Sequence, residues 1–224
     1  MTGVQTCALP ISSRTYTINY ASATLTTSFG VSGAYGAIWE YSGSREKVTS
    51  IVLPNGRSYT FSYDSYGSVT QMTFPTGATI NYTWANYPNA SCTYRYVSSR
   101  TVTVNGQSST WTFSHAPVGT ATCNGLTQVG SDVTVTQTDP LSNQTVYTVS
   151  RGNVKTAKFY QGAATGTPLR QYTVEYTDYN NASGSLPPLY LPTRITTQLE
   201  DGRQSKKEFT YDTLNMNRDR KSVV

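Results

Sequence analysis

The sequence is poor in charge. Asp, Glu, Lys and Arg make up 13% of its 224 residues, with 17 basic residues against 12 acidic ones. An average globular domain carries about 25%. A disordered chain is excluded, because 12% of the residues are aromatic and 18 of them are Tyr, whereas disorder goes with few aromatics. One histidine, His115, and three cysteines leave little material for acid–base or metal chemistry. No apolar run approaches the roughly 20 residues of a membrane-spanning helix. No stretch sustains the periodicity of an amphipathic helix. No P-loop, GxGxxG, HExxH or paired CxxC motif is present, so nucleotide and zinc chemistry have no support from motifs.

The basic excess is scattered. Its densest spots are "REK" at 45–47 and "RQSKKEF" at 203–209. Nucleic-acid binders concentrate such residues on one face, while isolated Lys and Arg near turns protect sheet edges. The second reading is preferred, and no nucleic-acid partner is expected.

What fills the space is a repeat. A shift of 21 residues carries Val48 onto Val69, Ile51 onto Met72, Leu53 onto Phe74, Pro54 onto Pro75 and Gly56 onto Gly77. It also carries Tyr59 onto Ile80, Phe61 onto Tyr82 and Tyr63 onto Trp84. A period of this size marks a repeat architecture. "SYTFSYD" alternates Tyr59, Phe61 and Tyr63 with Ser and Thr, which puts rings on one sheet face and hydroxyls on the other. "DSYG" at 64–67 suits a turn in which Asp64 accepts backbone N–H bonds and Gly67 takes a positive φ. "PNG" and "PTG" supply the opposite turns. Each unit therefore reads as strand, turn, strand, turn. The fold class is all-β, an irregular antiparallel sheet array, and Tyr-Asp is a strand end plus a turn cap.

Catalytic constellations are not found. "TFSH" sets His115 beside Ser114, but neighbouring strand residues face opposite ways, and nothing nominates a third member. Asp132, Glu175 and Asp178 are isolated on Tyr/Thr strands. The sequons at Asn81, Asn89, Asn143 and Asn181 arise easily in so Ser/Thr-rich a chain. No enzyme activity, metal or cofactor is expected. Cys92 and Cys123 are candidates for a disulfide in an oxidising compartment.

"YTFSYDSYGSVTQMTFPTGATINYTW" and "EDGRQSKKEFTYDTLN" resemble the YD repeats of the RHS-repeat family. The carrying residues are Tyr59, Phe61, Tyr63, Asp64, Gly67, Pro75, Gly77, Tyr82 and Trp84, with Pro54 and Gly56 before them and Gly202, Tyr211 and Asp212 in the later unit. The resemblance is clearest over 45–84 and 190–215, and 85–130 departs from the period with longer loops. It implies a segment of a hollow β-shell or solenoid in an exported protein, secreted or at the cell surface. Such a shell encloses a C-terminal toxin or effector, so the implied partners are the remaining repeats and the cargo of the same polypeptide. "DPLSN" at 139–143 has Ser142 where the family's self-cleavage core has Gly, and it reads as an ordinary turn. The alternative is a carbohydrate-binding adhesion module that uses Tyr82, Trp84, Tyr94, Tyr96 and Trp111 as stacking platforms. Alternation favours strand-face core for the same rings.

The ends stand apart. Residues 2–11, "TGVQTCALPI", and 219–224, "DRKSVV", resemble translated short-read sequencing adapters. Residues 1–11 and 219–224 are therefore expected to be artefacts, with 12–218 the repeat segment of a longer protein.

Overall fold

The computed structural model describes residues 4–8, 14–29, 32–33, 36–37, 40–86, 95–117, 123–124, 127–128, 133–150, 152–178, 190–211 and 218–219. Every regular element among them is a β-strand. The chain divides into two compact units, 1–112 and 113–224.

Apart from a short Ser32–Gly33 and Gly36–Ala37 pair, the strands of the first unit are β1 (Val4–Ala8), β2 (Thr15–Thr26), β3 (Ser42–Val52), β4 (Ser58–Tyr63), β5 (Val69–Thr73), β6 (Thr79–Asn86), β7 (Arg95–Val104) and the part of β8 (Gln107–Pro117) that pairs with β7 as far as Thr112. Each pairs antiparallel with the next. The adapter-like N-terminal stretch supplies β1, whose Val4–Ala8 lies against Thr15–Asn19. The second unit continues the same plan with β9 (Val133–Thr138), β10 (Gln144–Ser150), β11 (Asn153–Tyr160), β12 (Arg170–Asp178), β13 (Tyr190–Leu199) and β14 (Gln204–Glu208). The chain is all-β and antiparallel.

The alternation in the sequence separates the two faces of the first unit. Phe61, Met72, Ile80 and Val102 stand opposite one another across four strands. On the other face Ser50, Thr60, Thr73, Thr79, Thr103 and Ser108 form a ladder of hydroxyls, with Thr103 and Ser108 at 2.8 Å.

The rings were expected to form a core, and here the structure differs. Leu25, Ala157 and Phe209 are the buried apolar residues among those described. Tyr59, Phe61, Tyr63, Tyr82 and Trp84 are only half-buried. The described strands pair edge to edge, and the rings are covered by neighbouring side chains such as Arg95 over Tyr66 and Trp84 rather than by a second packed sheet.

One tight turn recurs. In 53–57, 64–68, 74–78, 139–143 and 199–203 the first residue's N–H donates to the fifth residue's carbonyl, and the fourth residue's N–H donates to the first residue's carbonyl. The fourth residue always has a positive φ: Gly56 79°, Gly67 79°, Gly77 87°, Ser142 66° and Gly202 83°. This is the three-residue hairpin loop built on a type I turn. Pro54, Pro75 and Pro140 take the second position, where a fixed φ suits the turn. β7 and β8 instead meet through a two-residue turn with Asn105 and Gly106 both at positive φ.

Candidate functional site

The Tyr-Asp corner is where the repeat's polar groups converge. It starts from a β-bulge. Thr49 in β3 and Thr70 in β5 are extra residues that shift the register with the preceding strand. Lys155 in β11 and Thr193 in β13 do the same in the second unit. The Thr49 hydroxyl donates back to the Asn19 carbonyl at 3.2 Å, and that of Thr193 to the Glu175 carbonyl at 3.3 Å.

Pairing with the following strand stops just past each bulge, at Ser50–Thr60, Gln71–Asn81, Thr156–Thr173 and Arg194–Glu208. The carbonyls of Val48, Val69, Val154 and Pro192 lie beyond those last pairs. An unmet backbone acceptor is costly. Each is capped by a ring three residues beyond the last paired residue of the following strand. Tyr63 donates its hydroxyl to Val48 at 2.7 Å, and Trp84 its indole N–H to Val69 at 2.8 Å. Tyr176 reaches Val154 at 2.9 Å, and Tyr211 reaches Pro192 at 2.7 Å. Burial raises the phenols of Tyr63 and Tyr176 above their ordinary value, which keeps the donated proton in place.

Asp64 follows Tyr63 and organises the turn. Its Oδ1 accepts the N–H groups of Tyr66 at 2.9 Å and Ser68 at 3.0 Å. Its Oδ2 accepts from Arg95 Nη2 at 2.7 Å, and Arg95 Nη1 donates to Ser68 Oγ at 2.8 Å. The guanidinium lies 4.1 Å from the Tyr66 ring centre and 5.5 Å from that of Trp84. Burial pushes the Asp64 carboxyl up. The Arg95 hydrogen bond, the Ser68 N–H, the Arg95 charge and the Tyr66 N–H outweigh it and hold the group below the ordinary carboxylate value. Tyr66 extends the corner by donating to the Ser28 carbonyl at 2.6 Å and accepting the Ser28 N–H at 3.0 Å. Asp139 caps its turn in the same manner, accepting from Leu141 and Asn143 N–H at 2.9 and 2.8 Å.

The sequence-selected residues thus fall into place by role. Tyr63 and Trp84, with Tyr211 in the second unit, cap carbonyls. Asp64 and Gly67 form one turn, and Pro54, Gly56, Pro75, Gly77 and Gly202 form others. Tyr59 stacks edge-on against Phe74 with centres 5.6 Å apart, and Tyr82 faces Arg100 across the β6–β7 pair. Asp212, Tyr94 and Cys92 lie outside the described residues, and Cys123 is described only in its backbone pairing with Gln128. The Cys92–Cys123 pairing therefore lies outside them too. Glu175 is not isolated: Arg194 holds it at 3.1 Å and holds Glu208 at 2.9 Å, because the register sets the three side by side. Ser114 is exposed and His115 half-buried on successive positions of β8. Among the described residues no group of three His, Cys, Asp or Glu could hold a metal ion.

Arg95 and the bulges were not found from sequence. Arg95 follows the irregular stretch 85–94, so the 21-residue shift does not point to it. The bulges do leave a signal. Val48 and Ile51, Val69 and Met72, Val154 and Ala157, and Pro192 and Ile195 are each three apart where plain alternation would give an even spacing.

Comparison with protein families matches residues 47–79 to the RHS Repeat family. The match covers both bulges of the first unit that are ring-capped, the Tyr63–Asp64 corner and the Pro75–Gly77 turn. Residues 47–79 are an RHS repeat. No curated protein matches it. The matched segment is a structural repeat, and its polar side chains hold backbone to backbone. No helix among the described residues is long and apolar enough to cross a membrane.

Proposed function

We propose that this RHS-repeat chain is a non-catalytic length of the β-shell of an exported protein, and that the shell encloses a C-terminal toxin or effector of the same polypeptide. The supporting observation is the ring-capped corner. At four places the side chains best suited to chemistry or ligand contact are committed to backbone carbonyls and turn N–H groups instead. That use fits a wall. The partners are then further repeats and the enclosed cargo, at the cell surface or outside the cell. The competing adhesion reading has less support, since Trp84 already donates its N–H and Trp111 already carries the Arg100 guanidinium at 4.3 Å.

The test uses the complete gene. Trypsin treatment of the exported protein is expected to leave the C-terminal segment intact, and deletion of residues 45–84 to expose it. Equal digestion of the segment in both proteins would overturn enclosure. Glycan-array binding that is lost in Trp111→Ala with an unchanged circular dichroism spectrum would establish adhesion in its place.

A further inference from the structure

We propose that an apolar hollow in the first unit, with Arg100 at its edge, docks a peptide segment carrying a carboxylate beside a large apolar side chain. The hollow measures about 330 Å³ and is lined by Phe61, Val69, Met72, Tyr82, Trp84 and Val97. That volume lies at the low end for ligand sites, which suits one or two inserted side chains rather than a whole ligand.

Charge complementarity selects the occupant. Arg100 stands directly opposite both Tyr82 and Trp111 in the strand register. It therefore shares the face of the hollow, since directly opposed side chains lie on one side of a sheet. Its Nε is buried without a hydrogen-bond partner, and the ion pairs formed among the described residues do not include it. The other cation beside the hollow, Arg95, lies 5.5 Å from the Trp84 ring centre and is already paired with Asp64. That leaves Arg100 as the cation at this face without a carboxylate among the described residues. A guanidinium fork held against an aromatic ring is preorganised for a bidentate carboxylate. A purely apolar occupant would leave Arg100 unanswered, and a purely anionic one would leave the six apolar side chains wet. This site is independent of enclosure and stands or falls separately from it.

Fluorescence anisotropy on the whole 224-residue chain tests the site. The probes are a fluorescein-labelled Ser-Glu-Leu-Phe-Glu-Ser peptide and its amide counterpart Ser-Gln-Leu-Phe-Gln-Ser. The acidic peptide is expected to bind saturably and about tenfold more tightly than the amide. Arg100→Gln is expected to bring the two peptides to the same affinity, Arg100→Lys to keep part of the difference, and Met72→Trp to abolish binding of both. Equal binding of the two peptides by the unaltered chain would overturn the site. So would a difference that survives in Arg100→Gln, or no binding at all. Octanoate binding as tightly as the acidic peptide would overturn the peptide assignment in favour of a free carboxylic acid.

Discussion

At the scale of single residues, Asp64 does two jobs that can be separated. Its Oδ1 shapes the turn, and its charge holds Arg95. Asp64→Asn keeps an acceptor for the turn but removes the charge. It is expected to cost about 2 kcal/mol at pH 7, the range for a hydrogen bond to a charged group, in a side chain only 22% exposed. Because the folded carboxyl sits below its ordinary value of 3.8, its stabilisation is fully present above that value and is lost as pH falls through the lower folded value. Thermal midpoints of the chain and of Asp64→Asn should therefore differ at pH 7 and converge as pH falls through the folded value below 3.8. A constant gap across that range would exclude the linkage. His115 titrates in the same sense. Burial holds its imidazole below the ordinary 6.5, so its contribution is present above pH 6.5 and is lost as pH falls through the folded value. His115→Gln is expected to flatten the stability profile between pH 7 and pH 5, measured by urea unfolding. The role of Asp64 as a turn cap was legible from Asp64 and Gly67 alone, since turn chemistry is local. Its partner was not, because Arg95 arrives from another strand after a stretch whose length follows no period.

At the scale of elements, the recurring unit is a bulge, a tight turn and a ring cap rather than a strand pair. The turn at 139–143 shows what the pattern demands. Ser142 adopts φ 66°, a conformation that costs a non-glycine L-residue roughly 1–2 kcal/mol. Ser142→Gly is expected to stabilise the chain by about 1 kcal/mol, less whatever glycine adds in unfolded-state entropy. A drop in the urea midpoint would show that this turn does not follow the Gly67 pattern. Gly67→Ala should cost more than Gly56→Ala. Both have a φ of 79°, but a Cβ on Gly67 would lie 2.6 Å from Lys47 Nζ and 3.2 Å from Leu25 Cδ1, while one on Gly56 meets nothing within 4 Å. The strands and turns of 45–84 were legible because period-two alternation and Pro-x-Gly spacing are written in adjacent residues. The bulges were not taken from the sequence, since one extra Thr between Val48 and Ile51 passes as noise until its copy at Thr70 is seen opposite a register shift. Glu175 looked isolated for a related reason: only the register brings Arg194 and Glu208 to it.

At the scale of the molecule, half-buried rings are the main consequence. With Leu25, Ala157 and Phe209 the buried apolar residues among those described, full burial contributes little, and order depends on backbone pairing and its caps. Repeat arrays behave this way when neighbours are needed to complete each unit. The isolated chain is expected to bind a hydrophobic dye such as ANS and to associate at tens of micromolar, as exposed apolar faces do. A dye-negative monomer by light scattering would contradict that. The central claim is that strand-end rings hold both units by capping bulge carbonyls, and urea unfolding of four Tyr→Phe variants tests it most directly. Tyr63→Phe, Tyr176→Phe and Tyr211→Phe each strip the donor from a capped carbonyl and should each lose about 1–3 kcal/mol. Tyr59→Phe sits on the same face as Tyr63 and packs through its ring, so it should change stability by about 0.5 kcal/mol or less. Three losses with Tyr59→Phe unaffected is the result expected, and three variants indistinguishable from Tyr59→Phe is the result that would contradict the account.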